Sequence, residues 1–201
     1  MNDPKLQEFV GAHKPHDENE ILETPAFKRA GAFFDFVELA TFAIVIILLL
    51  SCFFFRHTVV RGNSMVNTLR DGEHLIISDF MYTPKNGDIV VFEVLKTPGS
   101  PSYIKRVIAT AGQTVAIRGG VVYLDGTALD ESEYLFYDVP SIAYIEYPET
   151  VVPEGYVFVL GDHRNDSNDS RSDTVGMVDV RSILGRVVLR ITPFGRFGQV
   201  D

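Results

Sequence analysis

The sequence predicts a mostly β protein, an antiparallel β-sheet or barrel domain preceded by one N-terminal transmembrane helix. Three observations carry that prediction. Leu39–Phe55 form seventeen residues without a charge. Downstream of residue 56, short runs rich in Val, Ile, Phe and Tyr recur between Gly, Asn, Asp and Pro turn signals. No long helical period appears in that part, so a closed or folded antiparallel sheet fits better than alternating strands and helices.

Taken in order, residues 1–30 are polar, acidic and weakly periodic, a composition expected of a disordered tail. The apolar stretch, with Phe36 and Val37 ahead of it, approaches the ~20 residues that cross ~30 Å of hydrocarbon, and we bound the span at residues 33–56. A signal-peptide core would be shorter and end at small residues. This stretch ends in Phe53, Phe54, Phe55 and Arg56. A core helix would show a polar face, and none is present. Lys28 and Arg29 before the span balance Arg56, Arg61 and Arg70 after it, so charge does not set its orientation.

Residues 57–201 are the expected β domain, with strand-like runs at 73–80, 86–95, 102–110, 113–119, 120–126, 155–162 and 184–193. Two of them face each other across Gly119-Gly120, a hairpin signal. A formal net charge of −9 argues against nucleic acid as a partner. Cys52 is the one cysteine, so no intrachain disulfide forms and no structural zinc pattern is present. No metal or other cofactor is expected.

Gly62–Leu69 read GNSMVNTL, and Ser64 is a candidate nucleophile if a base lies near it. Histidines stand at 13, 16, 57, 74 and 163, and only His163 lies in a dense polar stretch. The other candidate base is Lys105, inside the apolar run SYIKRVIATAG. Strand alternation puts Lys105 on one face with Val107 and Ala109, and Arg106 on the other with Ile104 and Ile108. Burial there drives a lysine toward its neutral form, which can act as a general base. An edge or snorkelling lysine is the plainer alternative. Val159–Arg171, VLGDHRNDSNDSR, follows an apolar run and reads either as a polar surface loop or as support for a site. In the second case Ser167 holds the amine, and Asp169 and Arg171 brace the loop as an ion pair.

With these stretches together, the chain resembles the bacterial type I signal peptidases, over roughly residues 36–195. The resemblance rests on four motifs in order: Ser64-Met65-Val66-Asn67-Thr68-Leu69, Gly87–Phe92, Tyr103-Ile104-Lys105-Arg106-Val107 and Gly161–Arg171. It implies that Ser64 is the nucleophile, Lys105 the general base and Ser167 the serine that orients the amine. Arg106 with Asp162, and Asp169 with Arg171, would brace the site, and Met65 would line the cleft. The backbone N–H of Ser64 would stabilise the oxyanion. A second donor used by some members lies two residues earlier, where Gly62 offers no hydroxyl. Two positions depart from the family pattern: Asn67 replaces a proline and His163 an asparagine. His163 reads as a loop residue, because the lysine motif is intact. The implied substrates are preproteins with small residues at the first and third positions before the cut. The implied setting is a single-pass protein of the cell membrane, in contact with the lipid bilayer, with a cytoplasmic tail and an extracytoplasmic catalytic domain. The alternatives are a catalytically impaired, membrane-tethered β domain that binds peptides and, within the enzymes, the soluble self-cleaving Ser/Lys repressors. Nothing in the sequence indicates an oligomeric state.

Overall fold

The computed structural model describes residues 25–94, 102–136 and 146–200. Most of the expected tail, residues 1–24 with His13 and His16, lies outside them. The chain divides into two compact units, one ending at Ser51 and one beginning at Cys52.

The first unit contains most of helix α1, Pro25–Phe54, which rises about 45 Å at 1.5 Å per residue. It starts earlier than the expected span and stops two residues sooner. Ala30 and Ala32 are strong helix formers and extend it on the amino side. On the other side Phe55 and Arg56 are taken into a strand ladder. Within α1, Gly31–Leu50 is long and apolar enough to cross a membrane, and no residue of it is buried.

The second unit is two antiparallel sheets. The larger runs in the order β1-β2-β11-β3-β4-β9-β10 and the smaller in the order β7-β6-β5-β8. The strands are β1 Phe55–Val59, β2 His74–Ser78, β3 Ile89–Phe92, β4 Tyr103–Thr110, β5 Thr114–Arg118 and β6 Val121–Leu124. They continue with β7 Thr127–Ala128, β8 Tyr147–Val151, β9 Tyr156–Leu160, β10 Val178–Asp179 and β11 Ile183–Thr192. Neither sheet closes on itself among the described residues, so of the two expected forms the folded sheet is the one adopted. All seven expected strand runs form strands. The expected hairpin joins β5 and β6, with Ile117 opposite Val122. Gly119 and Gly120 both take positive φ, as a tight two-residue turn between twisted strands requires.

Strand β3 is buried on both faces. Ile89 and Val91 enter one apolar cluster with Met65, Leu69 and Leu75. Val90 and Phe92 enter a second with Val107, Val157 and Val159. A third cluster, with Ile108, Phe158 and Leu160 from the large sheet and Val115 and Ile117 from the small one, joins the sheets. Strand β4 runs through all three, and this places its charged residues in the interior.

Candidate active site

Ser64 lies in the segment linking β1 to β2. Two turns fold that segment: the Val66 N–H donates to Asn63 O at 3.0 Å and the Leu69 N–H to Met65 O at 2.7 Å. Met65 and Leu69 anchor it in the core, and Met65 also borders the cleft on the Ser64 side. Lys105 projects from β4, opposite Val90 on β3. Directly paired residues share a face, so the lysine stem stands beside Val90 and Val107 as strand alternation predicts. Ala109 follows a register shift in β4 and joins the third cluster instead.

Lys105 Nζ lies 2.7 Å from Ser64 Oγ and donates to Ile104 O at 2.9 Å. The lysine is 3% exposed. Burial lowers its pKa from 10.5 to about 8, against the upward pull of Asp169, Asp162 and Asp166. The cleft in front of the pair has a volume of about 710 Å³ and is bordered by His57, Thr58, Tyr103, Ile104 and Asp166 as well as the pair itself. Among the described residues the Ser64 N–H donates to no group, whereas the Gly62 N–H is held by Asp71 Oδ1 at 2.8 Å.

Behind Lys105, Arg106 makes a two-pronged pair with Asp162, Nε to Oδ1 at 2.9 Å and Nη2 to Oδ2 at 3.0 Å. Thr68 donates its hydroxyl to the same carboxylate. The guanidinium also covers the Tyr134 ring, 4.1 Å from its centroid. Asp169 accepts from Arg171 at 2.7 and 2.8 Å, from the Gly161 N–H at 3.0 Å and from Ser167 Oγ at 2.7 Å. Burial works to raise the pKa of Asp169, but the Arg171 guanidinium, the Gly161 N–H and the Ser167 hydroxyl together hold it below the usual carboxylate range. Ser167 thus donates to Asp169, and the amine's hydrogen bonds go to Ser64 and Ile104.

The 161–171 loop docks directly on the Ser64 segment, where the His163 N–H donates to Ser64 O at 3.0 Å. The His163 ring is buried edge-on against Phe136. At Gly161 the fit leaves no space, since an added Cβ would lie 2.6 Å from Ser64 O and 2.5 Å from Ser167 Cβ.

Sequence reasoning missed Glu131, which forms a buried ion pair with Arg164 and accepts from Tyr134. It also missed Glu73, Arg190 and Arg196, which gather under Thr68. The ion-pair partners lie 33 to 123 positions apart and leave no local pattern. Among the described residues no group of three His, Cys, Asp or Glu side chains could hold a metal ion.

A family model described as "Signal peptidase, peptidase S26" matches residues 33–192. The chain is similar to "Probable signal peptidase I-1" of Synechocystis sp., at 37% identity over 82% of this chain and 85% of the relative. It is 29% identical to "Signal peptidase I" of Bacillus licheniformis over 90% of this chain and the whole of the relative. "Signal peptidase IB" of Staphylococcus aureus is 31% identical over 77% of this chain and 87% of its own.

Proposed function

Because the chain belongs to the signal peptidase I family, peptidase S26, we propose that it is a membrane-anchored serine endopeptidase that cleaves signal peptides from exported preproteins with a Ser64/Lys105 dyad. The observation that carries this reading is the buried Lys105 amine 2.7 Å from Ser64 Oγ. A serine hydroxyl is a poor nucleophile unless a neighbour takes its proton, and a lysine serves only when uncharged. With a pKa of about 8 the amine is neutral in roughly one molecule in ten at pH 7 and in half of them at pH 8, where an ordinary lysine stays almost wholly protonated.

Ser64 Oγ attacks the scissile carbonyl while Lys105 Nζ accepts the hydroxyl proton. The oxyanion accepts from the Ser64 N–H, and fixed donors of this kind are a large part of such catalysis. Gly62 adds no second donor, since its N–H already serves Asp71. Collapse of the tetrahedral species breaks the C–N bond, and the lysine proton passes to the departing amine. Water then attacks the acyl-enzyme with the same amine as base, releasing the new carboxyl end and restoring Ser64.

The bracing pairs act at one remove. Arg106–Asp162 holds the strand of Lys105 and, through Thr68, the segment of Ser64. Asp169–Arg171 fixes the loop that touches the Ser64 carbonyl. Ser167 contributes through Asp169 and by filling the space beside Gly161. The apolar, unburied Gly31–Leu50 stretch supports a membrane span, and a cytoplasmic tail with the β unit outside is the orientation that the family resemblance implies.

The test is cleavage of a synthetic preprotein in detergent by wild type, Ser64→Ala and Lys105→Ala. Both variants are expected to be inactive, and the wild-type rate is expected to rise with pH through about 8. Activity in Ser64→Ala removes the reading. An active Lys105→Ala beside an inactive His163→Ala moves the base to His163.

A further inference from the structure

The segment that carries Ser64 is held from a third side by the C-terminal end of the chain. After β11, residues Phe194–Arg196 form a single 3₁₀ turn. The returning chain pairs with β11, the Arg190 N–H donating to Gly198 O at 2.9 Å and the Gly198 N–H to Arg190 O at 3.2 Å. This aims two guanidiniums at one point. Arg196 Nη2 donates to Asn67 O at 3.2 Å and to Thr68 O at 3.1 Å, and Arg190 Nη1 donates to Thr68 O at 3.0 Å. Both arginines also pair with Glu73, which is 3% exposed. Glu73 lies at the far end of the same loop, where its carbonyl accepts from the Val60 N–H at 2.9 Å.

One carboxylate between two partly buried guanidiniums leaves a surplus positive charge. The Asn67 and Thr68 carbonyls offset it, because an arginine fork can take a carboxylate with one arm and carbonyls with the other. These carbonyls follow Ser64 by three and four residues, where a proline would fix φ and Asn67 does not. We propose that Arg196, with Arg190 and Glu73, is a positioning residue. The C-terminal turn clamps the backbone after Ser64 and so sets where Ser64 Oγ lies against Lys105. This rests on the reading of Ser64 as nucleophile.

The experiment measures kcat and KM on a synthetic preprotein for the full chain in detergent, per active site counted by acyl-enzyme burst. Arg196→Ala is expected to lower kcat about tenfold or more, as a ~1 Å misplacement can cost up to ~10²-fold. KM is expected to stay within about twofold, because no cleft contact is removed. Arg196→Lys keeps the charge but loses the fork, and recovers little. Asn67→Pro, added to either variant, restores most of kcat by supplying the restraint from within the chain. A merely destabilised enzyme would lose active sites rather than kcat per site, and proline would not rescue it. The inference is overturned if kcat per site in both Arg196 variants stays within about twofold of wild type, or if Asn67→Pro leaves the loss unchanged. Ser64→Ala is assayed alongside. An inactive Ser64→Ala with unaffected Arg196 variants overturns this inference alone, whereas activity in Ser64→Ala overturns the underlying reading and this inference with it.

Discussion

Lys105 and Arg106 are neighbours on one strand, both cationic in water and both 3% exposed, yet the two faces of β4 treat them oppositely. On one face the lysine hydrogen-bonds only to uncharged oxygens, Ser64 Oγ and Ile104 O, and burial drops its pKa to about 8. On the other face the arginine has a full bidentate carboxylate, Thr68 nearby and an aromatic ring over its plane. Burial alone therefore does not make a reactive amine. What distinguishes the two faces is which of them holds a bonded counter-charge. A carboxylate bonded to Lys105 would keep it protonated and inert, whereas removing the one on Arg106 would leave a buried charge with no escape, since guanidinium does not deprotonate in proteins.

That contrast can be broken most forcefully on the lysine side. Lys105→Ala is expected to lower kcat/KM by ~10²–10⁴-fold, the usual range for a positioned base, as measured on preprotein cleavage. Next in size is the arginine side. Asp162→Ala strips the pair of its anion, and breaking a buried pair costs about 3–5 kcal/mol. Urea unfolding should show that loss, and a variant as stable as wild type would mean that the pair is not what holds β4 in place.

A finer test uses pH. The folded lysine has a pKa of about 8 against an ordinary 10.5. Between those values the unfolded chain carries a proton that the folded chain has released, so stability rises with pH across that window. Below pH 8 the penalty is fully present, about 3 kcal/mol at 1.36 kcal/mol per pH unit. Lys105→Met should therefore be more stable than wild type at pH 7, with the gap closing as pH approaches 10.5. A gap that stays flat with pH would show that the lysine is not held as a strained cation. The smallest effect belongs to a pair with similar atoms whose arginine stands in solvent. Arg181 meets Asp179 at short range but is 86% exposed, and Arg181→Ala should leave the unfolding midpoint unchanged.

Most of the β architecture could be read from the sequence because its strands are short apolar runs between turn residues. Two of the strands that escaped have physical reasons. Phe55–Val59 begins at the end of an apolar run more than three times its length, and its first two residues read as part of the span. Tyr147–Val151 carries Pro148 and Glu149 and lies half-exposed on the edge of the small sheet. The strand order is set by contacts between distant residues and has no local signature. At the site, the residues with local motifs came together: Ser64 with Lys105, Arg106 with Asp162, and Asp169 with Arg171. Glu73, Glu131, Arg190 and Arg196 did not stand out, because a charge that finds its partner more than thirty positions away looks like any surface charge. For Ser167 the sequence places a hydroxyl in the loop without saying which acceptor it chooses, and it donates to Asp169.

Among the described glycines, Gly161 has the tightest surroundings. Its φ is ordinary, so what keeps this position bare is room rather than backbone freedom. A single methyl group there would act as a shim, wedging the aspartate-bearing loop off the serine segment. The working parts could all survive such a change, correctly folded and correctly charged, and still be separated by the width of one carbon atom.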